Sequence, residues 1–333
     1  MPTALISSLV FLLILGSSLL VFPKLIVSLV PEYTRGELTQ PPLQSATMPP
    51  QDESGTSTLF FLGDVMLGRH VETLLSRHSA SYPYQELAFL QQKPAYVVAN
   101  FESALPRAHQ KTPNFGFQFS VDRQFLPALR QAGVTHLGLA NNHTLDFGED
   151  DFFHLAETLA AENFIAFGHP YDIGTTSVSV LALGKTTVAL FAFMAIDSNP
   201  DTVAIEELLS SYRHTTDVQV AYVHWGSEYV SEPNARQRAF AETLVTAGID
   251  LIVGHHPHVV QRIDTVAGVP VIYSLGNFIF DQYFSKAVQE GLVLKLQSQA
   301  KGLQLAAIPV TSLGSSAQPR LMTEVETDEF YAR

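Results

Sequence analysis

Cysteine is absent from this chain of 333 residues. That excludes disulfides, iron–sulfur clusters, thiolate zinc, a cysteine nucleophile and a lipoprotein anchor made through an N-terminal cysteine. It is compatible with export. Basic residues are also scarce. The 19 Lys and Arg stand against 32 Asp and Glu, a formal net charge of −13, and only 15% of residues are charged. No Lys/Arg-rich run occurs, which argues against nucleic-acid binding through a basic face. By contrast 46% of the residues are hydrophobic, and the length allows one large domain or two small ones.

Charge is missing altogether from Ala4 to Pro23, and the first charged residue is Lys24. About 20 apolar residues span a bilayer as a helix. We read residues 1–30 as an N-terminal membrane anchor or signal segment. The lack of a well-placed small-x-small cleavage site favours a retained transmembrane helix. Lys24 and Arg35 follow the span, which by the positive-inside rule alone would leave the body in the cytoplasm. Two charges make a weak signal, and the expected arrangement is a membrane-anchored protein with its main domain outside the cytoplasm. Residues 31–57, rich in Pro, Gln, Ser, Thr and Glu and without periodicity, read as a flexible linker.

From Thr58 onward, apolar runs alternate with helical patterns. Strands are expected at Leu59–Leu62, Tyr96–Ala99, His136–Ala140, Val178–Leu183, Val188–Phe193, Val218–Val223, Leu251–Val253, Val269–Leu275 and Leu292–Leu296. Helices are expected near Val71–Arg77, Phe125–Ala132, Asp150–Ala161, Ala204–Ser211 and Ala235–Ala247. Continuous hydrophobic runs are the mark of strands covered on both faces, so the domain reads as layered α/β. Strands with little helix between them, at 178–193 and 269–296, suggest a second sheet.

Five of these strands run into polar residues that a buried sheet would not otherwise choose. They end in Gly63-Asp64, Asn100-Phe101-Glu102, Asn141-Asn142-His143 with Asp146 just beyond, His224-Trp225-Gly226, and Gly254-His255-His256-Pro257-His258. In open α/β sheets the ligand crevice lies at the carboxyl ends of the strands. Asp64, Glu102, Asn142, His224, His256 and His258 are therefore six candidate ligands. Mixed oxygen and imidazole donors suit Mn, Fe or Zn better than calcium. A paired-metal site needs about this many donors. Each residue also has a structural reading: Asp64 as a turn or helix cap, His224 as a satisfied core histidine, Asp146 as a turn closer with Gly148.

The segments GDVMLGR (63–69), NFES (100–103), ANNHTLDFG (140–148), HWGSEY (224–229), GHHPHVVQ (254–261) and YSLGNFIFD (273–281) occur in order. Together they closely resemble the CapA-type capsule synthesis proteins, the family associated with bacterial poly-γ-glutamate synthesis. That family resembles the calcineurin-like metallophosphoesterases and 5′-nucleotidases. The likeness covers roughly residues 58–325, leaving 326–333 as a tail. It implies two packed mixed β-sheets flanked by helices, a metallophosphoesterase-like αββα sandwich. It also implies roles: Asp64 on one metal, Glu102 at the bridging position, and Asn142, His224, His256 and His258 completing the set for one or two divalent ions (Mn, Zn or Fe). His143 takes the catalytic position with Asp146 orienting it. Arg69 is a candidate for holding an anionic group bidentately, and Glu228 and Asn277 are candidates beside the substrate. His255 reads as outside the ligand set. His70, His78, His109, His136, His154, His169 and His214 match no motif.

Two departures stand out. The superfamily's first motif usually reads Asp-x-His, and here the third position is Met66; the bridging position holds Glu rather than Asp. Three functions remain open on the sequence. One is a membrane-anchored metal-dependent hydrolase of capsule, poly-γ-glutamate or another anionic envelope polymer. The second is a non-catalytic polymer assembly or export factor working with partner proteins of a capsule synthesis complex. The third is a nucleotidase-like phosphatase.

Overall fold

The computed structural model describes residues 58–91, 96–300 and 302–333, together with the backbone of Leu19–Val21 and Leu25–Ser28. In chain order the strands are β1 (Leu19–Val21), β2 (Leu25–Ser28), β3 (Thr58–Val65), β4 (Tyr96–Phe101), β5 (His136–Gly138), β6 (Ile165–Phe167), β7 (Val178–Leu183), β8 (Thr186–Ala195), β9 (Val218–Trp225), β10 (Leu251–His255), β11 (Ile263–Val266), β12 (Val269–Ile272), β13 (Asn277–Ile279), β14 (Glu290–Gln299), β15 (Gly302–Thr311) and β16 (Arg320–Leu321). The α-helices are α1 (Arg69–Arg77), α2 (Leu126–Gln131), α3 (Glu149–Ala161), α4 (Thr202–Tyr212), α5 (Ala235–Thr246) and α6 (Glu324–Tyr331).

Two sheets result. The first runs β1-β2-β15-β14-β3-β4-β5-β6, with β13 beside β3 and β16 beside β15; the second runs β11-β12-β10-β9-β8-β7. Side chains alternate along a strand, and here each alternation feeds two cores. Leu59, Phe61 and Val98 face Val188, Leu190, Val220, Tyr222 and Leu251 between the sheets. Phe60, Leu62, Val97 and Ala99 turn outward against Val71, Leu75, Leu129, Leu155 and Leu159 of α1, α2 and α3. Phe191, Phe193, Ala221, Val223 and Ile252 turn outward against Ile205, Leu209, Phe240 and Leu244 of α4 and α5. The order of layers is thus helices, sheet, sheet, helices. At about 25 cal/mol per Å2 of apolar surface removed from water, each fully buried Leu or Phe contributes about 1.5–3 kcal/mol.

The segment 269–296 divides between the sheets: β12 joins the second, whereas β13 and β14 join the first. A run of apolar residues specifies a buried strand but not its partners. Residues 326–333, expected as a tail, lie largely in α6, whose Thr323 cap accepts from the Glu326 amide and whose Glu326 pairs with Arg320 at 2.8 Å. The expected membrane segment and the 31–57 linker fall mostly outside the described residues. Where backbone is described within that segment it is strand: Leu19–Val21 pairs antiparallel with Leu25–Ser28, which runs parallel to Leu303–Ala306 of β15. Among the described residues no helix is long and apolar enough to cross a membrane.

Candidate metal centre between the two sheets

Parallel pairing sets the site residues side by side. Asp64 on β3 is in register with Asn100 on β4 and with Asn277 on β13. His224 on β9 is in register with His255 on β10. Close approach of the strands explains two glycines. A Cβ on Gly63 would stand 2.1 Å from the Gly276 carbonyl oxygen, and one on Gly254 would stand 2.1 Å from that of Tyr273. No side chain fits there.

The six expected ligands gather in one place. Atoms of Asp64, Glu102 and His224 lie within 4.8 Å of one another, and so do atoms of Glu102, His256 and His258. Glu102 is common to both groups. His224 Nε2 lies 2.8 Å from Asn142 Oδ1. His258 places Nδ1 at 3.2 Å from Asp64 Oδ2 and 3.0 Å from Asn277 Oδ1, which leaves Nε2 turned toward Glu102 Oε1 at 3.6 Å. His256 and His258 have φ of 96° and 56°. Left-handed backbone in non-glycine residues is held only where the surroundings over-determine it, and such positions cluster at functional sites.

Burial acts to raise the pKa of Asp64, but hydrogen bonds and charge from His255 and His258 outweigh it and hold the carboxyl well below its usual range. Glu102 goes the other way. Burial, with the charges of Asp64 and Glu228, lifts it well above the usual range against the opposing pull of His258. Burial, then the His258 charge, lowers His256 to about 3, and burial with the His256 charge lowers His224 well below its usual value. Burial also opposes charge on His258, yet Glu102 and Asp64 raise it to about 9.

These donors fit a cation. Both Glu102 oxygens and His256 Nδ1 are buried without a hydrogen-bond partner among the described residues. An orphaned buried carboxylate costs several kcal/mol, on the order of a lost ion pair, unless something of opposite charge satisfies it. Neutral imidazoles at His224 and His256 are the form that binds metal.

His143 lies at the rim of this cluster. Its Nδ1 is 3.0 Å from Asp146 Oδ2 and its Nε2 is 3.8 Å from Glu102 Oε1. Phe119 stacks on the imidazole with ring centroids 3.7 Å apart, and the Phe119 amide donates to the same Asp146 oxygen. The Arg69 guanidinium lies 4.4 Å from the centroid of the same Phe119 ring and pairs bidentately with Asp281. Asn277 is committed to His258, Gln282 and Val288, while Glu228 is exposed near the mouth. Met66 is buried in the helix-side core, its Sδ accepting the Gly68 amide, so the third position of the first motif turns away from the ligands.

The motif reading did not single out Asn100, Asn141, Asp281 or Phe119. Asn100 Nδ2 donates to Asp64 Oδ1 at 2.8 Å, and Asn141 Nδ2 donates to the Phe101 carbonyl at 2.9 Å. His255, read as outside the ligand set, is fully buried with Nδ1 3.3 Å from Asp64 Oδ1. Asp281 holds Arg69 across 212 positions. Asn100, Asn141 and Asp281 sit inside quoted motifs, a signal that was present; Phe119 carried none.

The family model for the bacterial capsule synthesis protein PGA_cap matches residues 58–282, which contain every one of these side chains. The chain belongs to that family. Among relatives of this PGA_cap member, the capsule biosynthesis protein CapA of Bacillus anthracis is 32% identical over 72% of this chain and 64% of its own length. The PGA biosynthesis protein CapA of Bacillus subtilis is 30% identical over 70% of this chain and 66% of its own. The chain thus spans just under two thirds of the length of either relative. A phosphatase from Mycoplasma pneumoniae shares the two-sheet fold, with a TM-score of 0.52 at 14% identity over 77% of this chain and 94% of its own.

Proposed function

We propose that this protein is a membrane-tethered, metal-dependent hydrolase of an anionic envelope polymer of the poly-γ-glutamate kind, working with a capsule synthesis complex. The observation that carries the reading is Glu102: a buried carboxylate with neither oxygen hydrogen-bonded among the described residues, shared by two three-residue donor groups. Asp64, Glu102, Asn142, His224, His256 and His258 would hold one or two divalent ions. Such ions supply Lewis acidity toward a substrate oxygen and toward water. His143, its Nδ1 proton directed at Asp146, acts as general acid to the leaving group through Nε2. Asp146 orients the imidazole, and Phe119 fixes the plane of the ring. Arg69, aligned by Asp281, contacts an anionic group of the substrate. Glu228 borders the mouth, and Asn277 aligns His258.

Purified full-length protein supplied with Mn or Zn is assayed against an aryl phosphate ester and a γ-glutamyl polymer. The wild type turns over at least one, and His143→Ala loses about 10²–10⁴-fold in rate with bound metal unchanged. Folded, metal-loaded protein that hydrolyses neither removes the hydrolase reading.

Met66 favours a second reading. Its side chain contributes no ligand, so one ion position has a smaller donor set, as suits a metal used structurally in a non-catalytic assembly factor. In cells, His143→Ala then leaves polymer output intact.

A further inference from the structure

Two phenylalanines stand almost wholly in water. Phe115 is 90% exposed and Phe117 is 88% exposed, on either side of Gly116. Scattered surface apolar residues need no explanation, but adjacent large rings at this exposure do. The local charge is equally distinctive. From Ser103 to Val121 the chain has no Asp or Glu, although it contains 32 elsewhere, and the same stretch carries Arg107, His109 and Lys111. Arg107 and Lys111 are exposed. A basic, aromatic-tipped loop therefore projects from a protein of net charge −13.

This loop is joined to the metal centre. The Gly116 carbonyl accepts from Arg69 Nη1 at 3.3 Å, Gln118 Nε2 donates to the Asp146 carbonyl at 2.7 Å, and Phe119 lies on His143. Rings this exposed offer no enclosed seat of the kind a small ligand or a polymer segment would need. A protruding apolar tip flanked by cations fits a soft partner: the rings enter the acyl boundary and the cations meet anionic headgroups. The uncharged run Ala4–Pro23 in the same chain supplies an independent reason for a bilayer nearby.

We infer that the 107–118 loop is a membrane-contact element, in which Phe115 and Phe117 insert at the interface of an anionic phospholipid surface while Arg107 and Lys111 pair with headgroups. It rests on the membrane-tethered part of the function proposed above. Contact there turns the mouth of the metal centre toward the membrane surface.

The absence of cysteine makes the test direct. Full-length Phe117→Cys and, as control, Val203→Cys on the exposed start of α4, 62% exposed, are each labelled with an environment-sensitive fluorophore. Each is mixed with vesicles of phosphatidylcholine and phosphatidylglycerol. The label at 117 shifts to the blue and is quenched by spin-labelled lipid roughly threefold more than the label at 203, as insertion at the headgroup boundary requires. Lys111→Gln combined with Arg107→Gln shifts the transition to a higher fraction of anionic lipid. Equal quenching at the two positions overturns the inference. So does a label at 117 that responds to poly-γ-glutamate and not to vesicles, which would make the loop a polymer-binding lip. Excess vesicles present a bilayer to the loop whether or not the N-terminal run inserts. Loss of carbonate-resistant binding alone therefore sinks the tether and leaves the loop readout decisive.

Discussion

Replacing Glu102 by Gln should change stability in opposite directions with and without metal. The substitution keeps the shape and removes the charge. In the metal-free protein the Glu102 carboxyl is held well above its ordinary value of 4.5, first by burial and then by Asp64 and Glu228. The folded chain therefore keeps a proton that the unfolded chain releases. Where the native state binds more protons, stability falls as pH rises. The fall begins near the ordinary value of 4.5 and continues to the raised folded value. Glu102→Gln abolishes this slope. The amide still lacks partners, so the gain at pH 8 is about 1–3 kcal/mol, the scale of one unsatisfied buried group. For a domain of this size that is a rise in Tm of roughly 2–10 °C. With a cation bound, the carboxylate is an ion-pair partner in a buried site. Its loss costs about 3–5 kcal/mol, a rise in Kd of roughly 10²–10⁴-fold. Calorimetric melts of both proteins in chelator and in saturating Mn or Zn, at several pH values, measure both effects. The expected result is a crossover, with the variant more stable in chelator and less stable in metal. A variant that binds metal like the wild type, or that is destabilised equally in both conditions, would refute the assignment of Glu102 as the shared ligand.

Metal uptake should release at least one proton near pH 7, because His258, raised to about 9 by Glu102 and Asp64 over the opposing effect of burial, must shed its charge to ligate, and any proton still held by Glu102 leaves with it. Titration calorimetry in buffers of different ionisation enthalpy reads that number, and apparent affinity should fall by about tenfold or more per pH unit between pH 8 and 6; pH-independent binding would remove His258 from the ligand set. Gly63→Ala places a Cβ 2.1 Å from the Gly276 carbonyl, where backbone faces backbone, and should cost about 3 kcal/mol or prevent folding. A melt within 1 °C of wild type, about the noise of a neutral surface change, would contradict the strand packing described. Asp281→Asn leaves the Arg69 guanidinium, 11% exposed, with no charged partner among the described residues, and should lower stability by about 1.5–3 kcal/mol, the worth of a charge-assisted pair. A loss of substrate affinity greater than the loss of stability would mark Arg69 as a substrate contact.

Local patterns in the sequence determined a good deal here. Val218–Val223 and Leu251–Val253 are continuous apolar runs because both faces of their strands are covered, one by the facing sheet and the other by α4 and α5. Asp64, Glu102, Asn142, His224, His256 and His258 were legible as a set because each follows such a run, and strand ends in this architecture share one crevice. Periodicity reports burial and not partnership, so three things waited for the tertiary structure. One was the allocation of β12 to one sheet and of β13 and β14 to the other. Another was the burial of His255 beneath Asp64, since three histidines in four positions cannot all face the same way and only packing chooses among them. The third was the pairing of Arg69 with Asp281 and the outward turn of Met66, which depend on what lies across the sheet rather than along the chain.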